Sequence, residues 1–409
     1  MAEIRPFQAI RPAEGYAERI AALPYDVFSL AEAGAEVERE PLSFLAIDLP
    51  ELSAAPGEDI YQRAGALLRQ RIQEGYFIQE ETPCFYLYEQ TMGGRSQTGV
   101  CALTRVDDYL NGVIKRHENT RADKETDRIA HVEGCSAQTG PIFLAYRAKD
   151  LIRELTNHIR ETETPLYDFV SSDGVGHRVW RVEDEELIEQ LYDAFEDVEA
   201  FYIADGHHRC AAAVACAKKY RSQNLDYSGE EPWNFILSVI FPDEELRILD
   251  YNRVVKDLNG LTKEELLSRL SECFEVASAS GKAAVPSQKG EIGMYLEGEW
   301  YLLTLRETYR DDDPVEGLDV SVLQNRVLAP VFHILEPRTD KRIDFVGGIR
   351  GSEELVRRVD AEGGAAFLMY PTSLAELFDV ADAGRLMPPK STWFEPKLRS
   401  GLLISSLAE

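Results

Sequence analysis

Apolar positions along the chain fall into short helical and strand periods, separated by Gly, Pro and charged turns. In EDIYQRAGALLRQRIQEGY, Ile60, Ala64, Leu67, Leu68 and Ile72 recur at helical spacing and predict an amphipathic helix. CFYLYEQ and QTGVCALTRV, joined through MGGRS, predict a β-hairpin. PIFLAYR, HRVWRV and WNFILSVIFP read as strands, and LIRELTNHIRET and DEELIEQLYDAFEDV as helices. EAFYIADGHHRCAAAVACAKKY reads as a strand, a turn and a helix. The pattern then restarts. LTKEELLSRLSECFEV predicts a helix and EIGMYLEGEWYLLTL a hairpin turning at Glu-Gly. VSVLQNRVLAPVFHIL predicts a helix interrupted near Pro330. IDFVGGIRGSEELVRRV predicts a strand, a Gly-rich turn and a helix, and AAFLMY with SLAELFDVADAG adds a strand and a helix. MPPKSTWFEPKLRSG is rich in Pro and Lys and reads as irregular. No internal repeat appears. The mixture predicts an α+β (mixed α/β) class with one domain over 1–244 and a second α/β domain over 245–409.

The 409 residues suffice for two or three cores. Charge changes the picture more than length does. With 44 basic and 72 acidic residues the formal charge is -28, a field that repels nucleic acid and anionic membrane. Neither is expected as a partner, and an anionic substrate needs a local basic pocket. The first residues, MAEIRPFQAIRPAEGYAERI, lack a basic start followed by an apolar core, and runs such as AAAVACA are too short to span a bilayer. Cys84, Cys101, Cys135, Cys210, Cys216 and Cys273 include no CxxC pair. Reduced thiols and a cytoplasmic location are expected, with no zinc, flavin or haem. Cys210 and Cys216 are placed on different faces of one helix.

Against that acidic background, ADGHHR stands out. Asp205 and Gly206 are followed by His207, His208 and Arg209 at a strand-to-helix turn. A helix N-terminus offers unpaired N–H groups to an anion, and an arginine fork grips phosphate. Cations there oppose the helix dipole, with no carboxylate partner evident in the local sequence. Asp205 is expected to cap the helix. GGIRGSEEL is the contrast: Ser352 is expected to cap, and Glu353 and Glu354 already complement the dipole, leaving Arg350 a weak candidate. In KRHENTRADKETDR, Thr120 and Asp123 suit a capping box for a short solvated helix. Glu118, beside His117 and Asn119, suits a tuned general base or a metal-linked carboxylate, and Lys115, Arg116, Arg121 and Arg128 suit phosphate. This segment is expected against the same anionic ligand as ADGHHR. Asp26 in PYDVFS, Asn119 and Asp205 are candidate metal contacts, and Lys390 and Ser391 in PPKST candidate phosphate contacts. An Asx-turn also accounts for Asp26, and a Pro-rich closing strand for PPKST. No GxSxG, HExxH, Walker or kinase signature is present.

KRHENT, IADGHHR, DFVGGIRG and MPPKSTWFEPKLRSG together resemble the prokaryotic family DUF1015, a domain of unknown function, over nearly the whole chain. The strand–DGHHR–helix unit also resembles the G-x-H-R segment of the ParB/sulfiredoxin superfamily, which includes the free serine kinases. That resemblance implies a ParB/sulfiredoxin-like N-terminal part in which Gly206, His208 and Arg209 contact nucleotide phosphate.

The resulting expectation is a small-molecule phosphotransferase, kinase or phosphatase, using ATP or ADP with Mg²⁺, with serine or phosphoserine as the substrate that the superfamily resemblance implies. Glu118, with His117 and His208, carries the catalysis. A non-catalytic nucleotide-binding regulator of the ParB-like group is the alternative. Sulfiredoxin-type redox chemistry ranks last, because His207 stands where the reactive cysteine would precede the Arg, and Cys210 follows it.

Overall fold

A computed structural model of the chain describes residues 2–408. Packing divides them into two units. The first comprises the residues up to Arg116, Thr120–Leu246, and Pro396 onward. The second comprises His117–Asn119 and Arg247–Glu395.

Unit 1 is built on a mixed sheet, nine-stranded among the described residues. Its strands are β1 (Ile4–Arg5), β2 (Phe85–Met92), β3 (Arg95–Arg105), β4 (Ile114–Lys115), β5 (Ile142–Tyr146), β6 (Tyr167–Val170), β7 (Gly176–Val182), β8 (Phe201–Asp205) and β9 (Phe235–Pro242). They lie in the order β4-β8-β5-β9-β3-β2-β7-β6, with β1 beside β3. The β2–β3 hairpin turns at Gly93-Gly94, both with positive φ, the two-residue geometry that suits strand twist. Every residue of β9 is buried, as its unbroken apolar run predicts.

The helices of unit 1 include α1 (Ile60–Gln73), α2 (Ala122–Cys135), α3 (Asp150–Thr162), α4 (Glu185–Glu196) and α5 (His207–Gln223). Cys210, Ala213, Val214 and Ala217 of α5 join the main core with Phe85, Leu144 and Ile236. Cys216 faces the Ile129 carbonyl of α2. α5 is therefore buried on opposite faces, which explains its many small residues. Its cysteines do point apart, and all six cysteines are free thiols.

The charged segment departs from expectation. α2 is longer than expected and only its N-terminal part is solvated: Ala122, Asp123, Lys124 and Thr126 are exposed, whereas Arg128, His131, Gly134 and Cys135 are buried. Its N-cap is Arg121, without a side-chain cap, and the Thr120 hydroxyl donates to Glu125 instead (3.1 Å). Few large apolar residues are needed because α1 and α2 meet through glycines.

Unit 2 carries a six-stranded sheet among the described residues. Its strands are β10 (Tyr251–Val255), β11 (Phe274–Ser278), β12 (Glu291–Leu296), β13 (Glu299–Leu305), β14 (Ile343–Gly347) and β15 (Ala365–Met369). The order is β11-β13-β12-β15-β10-β14. Phe274–Val276, expected to end a helix, open β11; α6 (Lys263–Cys273) stops before them, and Phe274 is buried. The helix expected to break near Pro330 runs as Asp319–Leu323 and a wider turn at Gln324–Leu328. In α7 (Gly351–Glu362) the N-cap is Arg350, so Ser352 lies inside the helix and does not cap it. Glu353 and Glu354 occupy the first turn as expected. α8 (Leu374–Asp382) is closed by a capping box of Ser373 and Glu376. Of the Pro-rich stretch near the end, only Trp393–Phe394 form a strand.

Candidate functional site

The turn between β8 and α5 is shaped by a bulge. Against β5, Ile203 pairs with Leu144 and Asp205 with Phe143, so Ala204 is the extra residue. Such a bulge re-aims the residue that follows it. Asp205 is not the cap. Gly206 is, with φ 87°, a left-handed conformation that excludes a β-branched or bulky residue. The Asp205 carboxylate turns back to accept the Gly206 N–H (2.8 Å) and the Lys397 ammonium (2.8 Å). Burial raises its pKa, but the Lys397 charge and hydrogen bond outweigh burial and hold it well below the usual carboxylate range.

The first turn of α5 carries no acidic residue and no side-chain cap. Its backbone N–H groups and the positive end of its dipole thus remain available to an anion. His207 and His208 are half-buried. Arg209 is half-buried. Its Nη2 donates to the Ser400 hydroxyl (2.9 Å) and stands 3.6 Å from Asp48 Oδ2. The cations of ADGHHR therefore do not lack carboxylates nearby. Asp205 and Asp48 are both there, each neutralised by a basic side chain.

Asp48 is 1% exposed. Its Oδ1 accepts from the Thr139 hydroxyl (3.2 Å), and Oδ2 has no hydrogen-bond donor among the described residues. His131 lies 3.9 Å from Oδ1 and bonds the Ile47 carbonyl (2.9 Å). Burial, reinforced by Arg128, keeps its imidazole neutral by lowering its pKa. Arg128 lies over the Tyr25 ring, its Cζ 3.9 Å from the centroid, and bonds Asp127 (2.8 Å). Burial pushes the Tyr25 hydroxyl up to about 12. A cleft opens here, lined by Arg128, His131, Gln138, Thr139, Gly140 and Arg209 among others. Gly140 gives Arg209 its room: a Cβ there would stand 2.3 Å from Arg209 Nη1, so the arginine would have to shift. One arginine of the charged segment thus shares a cleft with ADGHHR.

The other expected residues are placed as follows. In unit 1, Asp26 is exposed beside the buried Tyr25. Lys115 lies over the Tyr202 ring (5.7 Å), Arg116 is exposed, and Arg121 is an exposed partner of Asp123 (2.8 Å). In unit 2, His117 is 1% exposed, its Nε2 meets the Thr392 hydroxyl (3.2 Å), and its carbonyl accepts the Met387 N–H (2.7 Å). Glu118 is half-buried and Asn119 exposed. The Lys390 carbonyl accepts from Arg253 (3.0 Å), and the buried Ser391 hydroxyl donates to the Pro388 carbonyl (2.7 Å).

Among the described residues no group of three or more His, Cys, Asp and Glu is arranged to hold a metal ion. Of the candidate metal contacts, Asp205 is bonded to Lys397, and Asp26 and Asn119 are exposed. Sequence reasoning missed Asp48, His131, Lys397 and Ser400. A lone acid inside the apolar run FLAIDLP was the one available signal for Asp48.

A family model, "Protein of unknown function (DUF1015)", matches residues 4–321. The chain belongs to this family. No curated protein matches it. Solved structures with some likeness include a free serine kinase in complex with AMP, with TM-score 0.36 and 14% identity over 74% of this chain and 91% of that one. A conserved hypothetical protein from Pyrococcus furiosus has TM-score 0.37 and 16% identity over 75% of this chain and 95% of its own. SbnI with C-terminal truncation from Staphylococcus aureus has TM-score 0.40 and 12% identity over 75% and 87%. At these values the likenesses carry no argument about what this DUF1015 member does. Among its described residues, no helix is long and apolar enough to cross a membrane.

Proposed function

We propose that this protein is a small-molecule phosphotransferase, a nucleotide-dependent kinase or a phosphatase, that holds phosphate at Gly206–Arg209. One observation carries the reading: α5 begins at a left-handed glycine, with neither a side-chain cap nor an acidic residue in its first turn. In a chain of charge -28 that turn is a rare place where an anion is favoured. Phosphoryl transfer consists largely of positioning and charge stabilisation, which N–H groups and an arginine supply. Arg209 is pre-oriented by Ser400. ATP or ADP as the nucleotide, and serine or phosphoserine as the other substrate, follow from the motif's resemblance to the ParB/sulfiredoxin group. Glu118 as the base that takes the acceptor proton rests on its sequence setting, beside a histidine and several cations. No step is assigned to a metal.

A second reading is a nucleotide-binding regulator without turnover. It is favoured by Asp205, the one carboxylate of the turn, being bonded to Lys397 and so unable to serve there as a base. Calorimetric titration with ADP, followed by an assay for phosphoserine from ATP and serine, separates the two. Binding with transfer supports the enzyme, binding without transfer to any hydroxyl acceptor supports the regulator, and no binding removes both.

A further inference from the structure

The segment Lys397–Gly401 reaches the phosphate turn from the far end of the chain. The Lys397 ammonium meets Asp205, the Ser400 hydroxyl accepts from Arg209, and the Gly401 N–H donates to the Thr139 carbonyl (3.1 Å). The Gln90 side chain anchors the segment by donating to the Lys397 carbonyl (2.8 Å). Lys397 is only 9% exposed while the Asp205 carboxylate it meets is 39% exposed, and burying an ammonium costs desolvation that packing alone would not require. Asp205 immediately precedes the glycine that opens α5, so an unbalanced carboxylate there would repel any anion at the helix end. Arg209 is itself held beside the Arg128–Arg209 cleft, by the Ser400 hydroxyl and by the buried Asp48, whose Oδ2 lies 3.6 Å away.

We infer that Lys397 is a positioning residue of the phosphate turn, which makes the site anion-competent by cancelling the Asp205 charge while leaving its carboxylate bonded to the Gly206 N–H. The inference rests on the phosphate reading above. In this role Lys397 acts through Asp205, and the turn favours an anion only while the Asp205 charge is cancelled or absent.

The sign of one mutation distinguishes this role from a purely structural one. Affinities for ADP and for sulfate, a phosphate mimic of fixed charge, are measured by calorimetry on the full chain. Lys397→Met is expected to weaken both by about tenfold, the scale of one partly screened charge a few ångströms away. Asp205→Asn keeps the acceptor for Gly206 and leaves Lys397 positive, so it is expected to tighten both by about three- to tenfold. Lys397→Arg and the double variant Lys397→Met with Asp205→Asn should stay within about threefold of the native protein. If Asp205→Asn weakens binding instead, or Lys397→Met leaves it unchanged, the inference fails while the phosphate site stands. If the native protein binds neither ADP nor sulfate, the phosphate reading itself fails. Should Lys397→Met not fold, Asp205→Asn and the neutral double variant still decide the matter.

Discussion

A Cβ on Gly65 would stand 1.9 Å from the carbonyl oxygen of Gly134. The reverse also holds, since a Cβ on Gly134 would meet the Tyr61 carbonyl oxygen at 2.4 Å. Helices α1 and α2 thus touch backbone to backbone, and this contact sets where Arg128 and His131 lie. Gly65→Ala improves helix propensity by about 1 kcal/mol, yet the clash with backbone cannot relax cheaply. A net destabilisation of about 1–3 kcal/mol is expected in urea denaturation. Unchanged stability would show that the helices have room to separate.

Arg209→Ala is expected to weaken ADP binding by about 1.5–3 kcal/mol, the scale of a lost charge-assisted hydrogen bond. It also strips the buried Asp48 of a basic neighbour, so stability should fall as well. Calorimetry on protein verified as folded separates the two effects. Native affinity in a folded Arg209→Ala protein would reduce ADGHHR to a structural turn.

Glu118→Gln keeps the size of the side chain and loses its charge and its capacity to take a proton. Turnover should drop roughly 100- to 10,000-fold while ADP affinity holds or tightens slightly. Steady-state rates and titrations on this one variant check both halves. Native turnover would remove Glu118 as the base.

His177 should make the protein acid-labile. It is fully buried, bonded to the Tyr88 hydroxyl (2.8 Å) and Ser171 (2.9 Å), with Arg399 Nε at 3.3 Å. Burial first, and the Arg399 charge second, push its pKa down to about 3. Below the ordinary histidine value the unfolded chain takes up a proton that the folded one refuses. Stability therefore falls with falling pH, by about 1.4 kcal/mol per unit, until the folded value is reached. Between about pH 7 and 5 the native protein should lose roughly 2 kcal/mol more than His177→Gln, in urea titrations at each pH. Equal losses would mean that His177 protonates in place.

The local pattern of the chain already contained most of its elements. The β2–β3 hairpin, α1, the buried β9 and the β8–turn–α5 unit follow from periods of two and 3.6 residues and from Gly-Gly and Asp-Gly turns, which act over a few neighbouring residues. The cationic turn at His207–Arg209 was legible for the same reason. What lay beyond the sequence was every pairing across long separations. Nothing local to Asp205 announces Lys397, nothing local to Arg209 announces Asp48 and Ser400, and nothing in a charged segment announces that Gly134 will meet Gly65 and bury Arg128. Phe274, too, left its helix because strand pairing with Leu305 outweighed a weak helical preference. Local propensity indicates most of the residues that are helical or extended. Which charges neutralise one another is decided only when packing removes them from water, because an ion pair that is worth little in solvent becomes obligatory once it is buried.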